Sequence, residues 1–336
     1  MRIPWVENVK GLRSNDLFWA AVIAAVSLIV RFMHLIRLPP QGAELRNSDI
    51  LAMSPLGRAL PLHATLEFAL GTSPPPFGSL LVALNVLLGG LTCSLVYLLA
   101  HDVYGRRWFG IVAGLILAFQ PWHIYYSLHP TPEVLSGLLV ALSTRSMVRR
   151  RLTAFALTSS AAILSTFEAW IAVALEMLVM CKEALQREGR RVSFLALPLG
   201  LMLFLVFGLR HTTADPLMSC RGILGVGGFT FYFESLFLAT FFLFFLGLVF
   251  AALKNSASRL TSGVAVGYVL FLSLLAGAGC ETPGASRLIT IMPLVSVMIA
   301  AVMPKFRGGI LRRILVFTAF LFVLAVPYLA QVSIFG

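Results

Sequence analysis

Apolar runs close to membrane-crossing length recur along this chain, and most are separated by short segments carrying Lys and Arg. A helix needs about 20 apolar residues to cross a bilayer, so a chain patterned in this way is constrained to fold as a bundle of membrane helices. Only 12% of its 336 residues are charged and 59% are apolar, against about 25% charged in an ordinary soluble domain. That balance excludes a disordered chain, a fibrous repeat and a water-soluble enzyme. Eleven spans would use about 220 residues, which predicts one all-α transmembrane domain over 1–336 and no separate soluble domain. The net charge of +12 belongs to the same pattern. Its basic clusters sit between apolar runs, as in cytoplasmic loops, and no soluble basic face is available to grip nucleic acid.

The expected spans are Leu17–Leu35, then 77–99, 108–120, 134–148, 152–165, 169–180, 192–209, 232–253, 260–278, 288–304 and 314–334. The first is followed by no small-residue cleavage site and reads as a retained helix. The stretch 152–180 is decided by charge. Arg149, Arg150 and Arg151 precede it, while Lys182, Arg187, Arg190 and Arg191 follow. A single crossing would place one of these clusters outside, against the positive-inside tendency. A hairpin turning near Phe167, Glu168 and Ala169 keeps both inside, and its short helices then belong within the bundle or beside a wet cavity. With the hairpin there are eleven helices, a cytoplasmic N-terminus and an extracytoplasmic C-terminus. This topology puts 19 Lys and Arg inside and six outside, with Arg31 in the first span.

The longest outer loop, 36–76, runs from Pro39-Pro40 to Pro74-Pro75-Pro76 and contains Glu44, Asp49, Arg58, His63 and Glu67. Leu60–Leu70 has helical apolar spacing suited to an interfacial helix. Glu44 and Asp49 have the chemistry of a general base toward an acceptor, or of a Mg or Mn ligand pair. A second outer segment, 121–133, gathers Trp122, His123, Tyr125, Tyr126, His129 and Glu133. Its aromatics also suit a membrane interface, His123 and His129 lack the company of a metal site, and Glu133 suits a helix N-terminus.

Arg287 lies where an outer loop enters a helix, at the depth of a lipid phosphate; Arg210 and His211 have a similar position, and snorkelling explains both placements equally. Glu168 and Arg31 carry charge in apolar surroundings, at a cost of about 2.5–3.5 kcal/mol at mid-depth, so each should face a partner or a cavity. Cys220 and Cys280 both fall in outer loops, where an oxidising compartment would allow a disulfide between them but does not require one. The inner loops carry no phosphate-binding loop of the Walker type, which argues against transport driven by ATP.

Taken in order, several motifs resemble the GT-C class of integral-membrane glycosyltransferases, the protein mannosyltransferase and aminoarabinose transferase superfamily. They are Asn47-Ser48-Asp49 in the first loop, Thr72-Ser73-Pro74-Pro75-Pro76-Phe77 before the second helix, and Leu95-Val96-Tyr97-Leu98-Leu99-Ala100 leading to Tyr104-Gly105-Arg106-Arg107. Pro121-Trp122-His123-Ile124 with Ser127 and Glu133 follows, and then Ser286-Arg287 before Leu288–Pro293. The chain departs from the family in having Ile50 after Asp49, where a second acid is usual, and Ser73 where histidine is common.

The resemblance implies transfer of a sugar from a polyprenyl-phosphate donor to a protein, lipid or glycan acceptor on the outer face, with inversion at the anomeric carbon. In that reading Asp49 is the base, with Glu44 as its substitute. Arg287, with Arg58 or Arg210, neutralises the leaving phosphate, and His129, Glu133 and Glu168 line the substrate site. Two other classes stay open: a transporter or lipid flippase using Glu168 and Arg31, and a non-catalytic subunit that binds a membrane protein partner. No internal repeat favours the transporter. Compactness favours a prokaryotic plasma membrane.

Overall fold

The computed structural model describes residues 14–37, 78–129, 131–187, 196–203, 226–240, 243–277 and 285–302. All secondary structure among them is helical. The helices are α1 (Ser14–Arg37), α2 (Gly78–Tyr104), α3 (Arg107–Phe119), α4 (Pro121–Ser127), α5 (Glu133–Val148) and α6 (Leu152–Ile163). They continue with α7 (Phe167–Arg187), α8 (Val226–Thr240), α9 (Leu243–Lys254), α10 (Ser256–Gly277) and α11 (Met292–Ala300), with a 3-10 turn at Ala285–Thr290. A further helical segment covers 196–203. The first outer loop and the interfacial helix expected in it, most of the expected 192–209 span, the expected last span, Cys220 and Cys280 lie outside the described residues.

The protein is an integral membrane bundle. Among the described residues, Ser14–Leu35, Val82–Tyr104 and Ser256–Gly277 are each long and apolar enough to cross a membrane, and α3 and α4 together meet the same measure with a 61° bend between them. Large apolar side chains such as Phe18, Ile29, Phe32, Leu178 and Leu253 are exposed on its surface. Lipid makes such exposure costless, so association relies on close packing and on polar contacts between helices.

Three segments differ from the sequence reading. The segment 121–133 is not a loop throughout, because the chain bends by 61° and restarts as α4. Gln120 is extended and caps the new helix, its side chain accepting the His123 N–H at 2.6 Å, and Pro121 supplies a first-turn residue that needs no donor partner. The run 232–253 is two helices, α8 and α9, on either side of 241–242. The hairpin forms, but it turns at 164–166 and its second arm extends to Arg187. Thr166 explains the earlier turn: its hydroxyl accepts the Ala169 N–H at 3.2 Å, the N-cap contact of α7. Trp170 then donates from its indole to the Ile163 carbonyl at 2.7 Å and closes the hairpin.

Contacts order the helices into two ends. α1 runs antiparallel to α2, with Ser94 donating to the Ala20 carbonyl at 2.8 Å. At one end Asp16 pairs with Arg107 at 2.7 Å, and Asp102 receives Arg145 at 2.8 Å and Arg149 at 2.7 Å. Lys254 also lies here, donating to the Ala301 carbonyl at 2.8 Å over the ring of Phe109. The opposite end holds α4, the 164–166 turn and the 3-10 turn.

Backbone approach is closest where a glycine faces a neighbouring helix. A Cβ on Gly247 of α9 would lie 2.9 Å from the Met298 carbonyl of α11, whereas one on Gly263 of α10 meets nothing within 4 Å. Gly247→Ala should therefore lower stability by about 1–3 kcal/mol through overpacking, while Gly263→Ala leaves it level or raised. Thermal unfolding of the two variants in detergent checks this, and equal midpoints would mean that α9 and α11 do not pack as described.

Candidate functional site

Among the described residues, His129, Glu133, Glu168 and Arg287 lie toward the α4 end. Glu168 sits in the first turn of α7, where the helix dipole favours a carboxylate. It faces Arg287, Nε to Oε1 at 3.7 Å, and both side chains are less than 10% exposed. The pair is a long ion pair and not a charge-assisted hydrogen bond. Its geometry is set from three sides. Tyr268 of α10 donates to the Arg287 carbonyl at 2.7 Å. Thr166 donates to Ser136 of α5 at 2.9 Å, tying the base of α7 to α5. Gly137 lets α5 reach the 3-10 turn, since a Cβ there would stand 3.1 Å from the Ile289 carbonyl.

Glu133 is buried at the start of α5, one turn before Gly137. His129 is half-buried and turned toward its own segment, its Nδ1 2.7 Å from the Tyr125 carbonyl and its ring against that of Tyr125. Asn85 of α2 fixes this link by donating to the carbonyls of His129 at 2.6 Å and Thr131 at 3.0 Å. Asp49, Glu44, Arg58 and Arg210 lie outside the described residues. Among the described residues no group of three or more His, Cys, Asp or Glu is placed to hold a metal ion, and the expected cation ligands, Asp49 and Glu44, are outside them.

Two arrangements were not legible beforehand. Arg31 and His123, each noticed separately, are in contact: the Arg31 guanidinium reaches His123 Nδ1 and Ser27 Oγ, and both side chains are buried. Glu176, fully buried in α7, receives the hydroxyls of Ser143 and Thr144 from α5. A lone Glu in the 169–180 run was the available signal for the second, but nothing in the sequence links positions more than 30 residues apart.

The fold is similar to that of solved membrane proteins. The structure is similar to ArnT from Cupriavidus metallidurans, an aminoarabinose transferase, in the apo state, with a TM-score of 0.55 and 18% identity over 87% of this chain and 61% of that one. It is also similar to the same protein bound to undecaprenyl phosphate, with a TM-score of 0.55 and 15% identity over 86% of this chain and 60% of that one. The chain thus spans about three fifths of the length of these solved chains. No family model matches the sequence, and no curated protein matches it.

Removing Arg287 takes away the cation that faces the buried Glu168 carboxylate, which costs about 3 kcal/mol. Arg287→Gln should lower the unfolding midpoint strongly, and the double variant Glu168→Gln with Arg287→Gln should recover part of the loss. Strictly additive losses in this cycle would mean that the two side chains are not coupled.

Proposed function

We propose that this protein is a glycosyltransferase that moves a sugar from a polyprenyl-phosphate donor to an acceptor on the extracytoplasmic face of the membrane. The observation carrying this reading is the fold likeness to a protein solved with undecaprenyl phosphate bound, a likeness covering 86% of the chain. The polar cluster at the α4 end supports it, because a buried Arg287 held by α5, α7 and α10 is a preorganised positive group. A phosphodiester that loses its sugar gains a negative charge as the bond breaks, and fixed cations act most strongly on charge that develops in the transition state.

In this reading the acceptor nucleophile attacks the anomeric carbon from the face opposite the carrier. Its proton passes to Asp49, with Glu44 as the alternative base, and the polyprenyl phosphate departs toward Arg287. Arg58 and Arg210 add positive charge from the loops, while Glu133, His129 and Glu168 shape the approach to the sugar and the phosphate. A divalent cation held by Asp49 and Glu44 would supply further charge neutralisation at the same phosphate. The enzyme works on lipid in the plane of the membrane, and the acceptor is a protein, lipid or glycan.

The test is turnover of a radiolabelled polyprenyl-phosphate sugar by the purified protein. Wild type should release carrier phosphate in the presence of acceptor, and Asp49→Asn should bind donor normally while turning over about 10²–10⁴ times more slowly. Unchanged turnover in a folded Asp49→Asn protein removes that residue as the base. Failure of the wild type to bind the donor removes the proposed function.

A further inference from the structure

Arg31 is a cation at full burial in α1, and among the described residues no carboxylate lies within ion-pair distance of it. Its contacts are neutral. One terminal nitrogen donates to Ser27 Oγ and, at 3.1 Å, to the Ser27 carbonyl; the other meets His123 Nδ1 and lies 3.9 Å from Cys93 Sγ. Nε has no hydrogen-bond partner. The packing is built to admit this group: on α2 a Cβ at Gly89 would fall 2.6 Å from both Arg31 Nε and Ser127 Oγ. The backbone of His123 is equally fixed, its N–H taken by Gln120 and its carbonyl by the Ser127 hydroxyl.

The contact between Arg31 and His123 has only one proton assignment. A guanidinium has five donors and no acceptor, so His123 Nδ1 must accept, and the ring must be neutral with its proton on Nε2. The imidazole then presents a neutral N–H backed directly by a fixed positive charge. Such a donor favours an anion over a neutral hydroxyl, because the Coulomb attraction of the guanidinium adds to the hydrogen bond in a low-dielectric site. α4 also packs against the 3-10 turn that carries Arg287, and it begins at the 61° break in its span, the kind of non-helical backbone that membrane proteins tolerate only inside protein or at a cavity.

We infer that His123 Nε2–H is a second contact for the phosphate of the lipid carrier, and that Arg31 is the positioning residue that holds the ring in the form able to make it. The inference rests on the proposed function and adds a donor carried on α4, the helix packed against the turn that bears Arg287. It also accounts for an uncompensated cation in the first span: the charge is retained because a bound phosphate compensates it through the imidazole.

Two measurements test it. The first uses protein labelled with ¹⁵N in histidine, with His123 assigned through His123→Phe. Its Nδ1 should resonate as an unprotonated nitrogen and its Nε2 as a protonated one, and Nε2 should shift when a sugar-free polyprenyl phosphate is added. A cationic ring, or a proton on Nδ1, overturns the assignment without any appeal to ligand. The second is the affinity of the same polyprenyl phosphate for folded variants. His123→Phe should bind about ten- to a hundredfold more weakly, the effect of losing one hydrogen bond to a charged group, and Gly89→Ala, which crowds both the guanidinium and the Ser127 hydroxyl that fixes His123, should weaken binding in the same direction. Binding by wild type with His123→Phe unchanged, or no Nε2 shift, overturns this inference and leaves the proposed function standing. No binding by wild type removes both.

Discussion

Water does not drive these helices together, and that absence governs the structure. Apolar side chains gain nothing by leaving lipid for one another, so association depends on backbones coming close and on polar groups that cannot remain in hydrocarbon. Gly137 and Gly247 supply the first, each facing the backbone of a neighbouring helix or turn at about 3 Å for an added Cβ. The buried polar groups supply the second. Asp102 between Arg145 and Arg149, Glu176 between Ser143 and Thr144, and Thr166 with Ser136 each join elements distant in sequence. Because such a group is costly anywhere but beside its partner, these contacts specify which faces of the helices meet.

The rough position of several described helices was legible from hydropathy. α1, α5 and α10 lie within a few residues of the runs read from the sequence, and the hairpin followed from the basic residues on either side of 152–180. Local capping was harder to see. The α3–α4 break depends on Gln120 turning its side chain back to the His123 N–H, and a segment rich in Pro and aromatics reads as a loop when that bond is unknown. The division of 232–253 into α8 and α9 has no comparable signal, since the whole run is apolar.

At the candidate site, the sequence announced which residues needed partners but not which partners they have. Arg31 and Glu168 were conspicuous as charges in apolar surroundings. Each was expected to face a partner or a cavity, and Glu168 meets Arg287 while Arg31 meets a histidine. Both outcomes are matters of helix direction. α1 delivers Arg31 toward α4, while the turn before α7 and the 3-10 turn deliver Glu168 and Arg287 to each other. Composition carries no record of such directions.

The resulting site keeps its positive charge in two different ways, and the difference bears on how a phosphate would be received. Arg287 faces a carboxylate at 3.7 Å, too long for a charge-assisted hydrogen bond, and its carbonyl is held by Tyr268. Arg31 is surrounded by neutral acceptors and keeps its whole charge. Any positive charge left unspent in a low-dielectric bundle is relieved most by a group arriving with negative charge of its own. A leaving phosphate, whose charge rises as its bond to the sugar breaks, relieves it more in the transition state than in the ground state, which is the condition for fixed charges to accelerate a reaction.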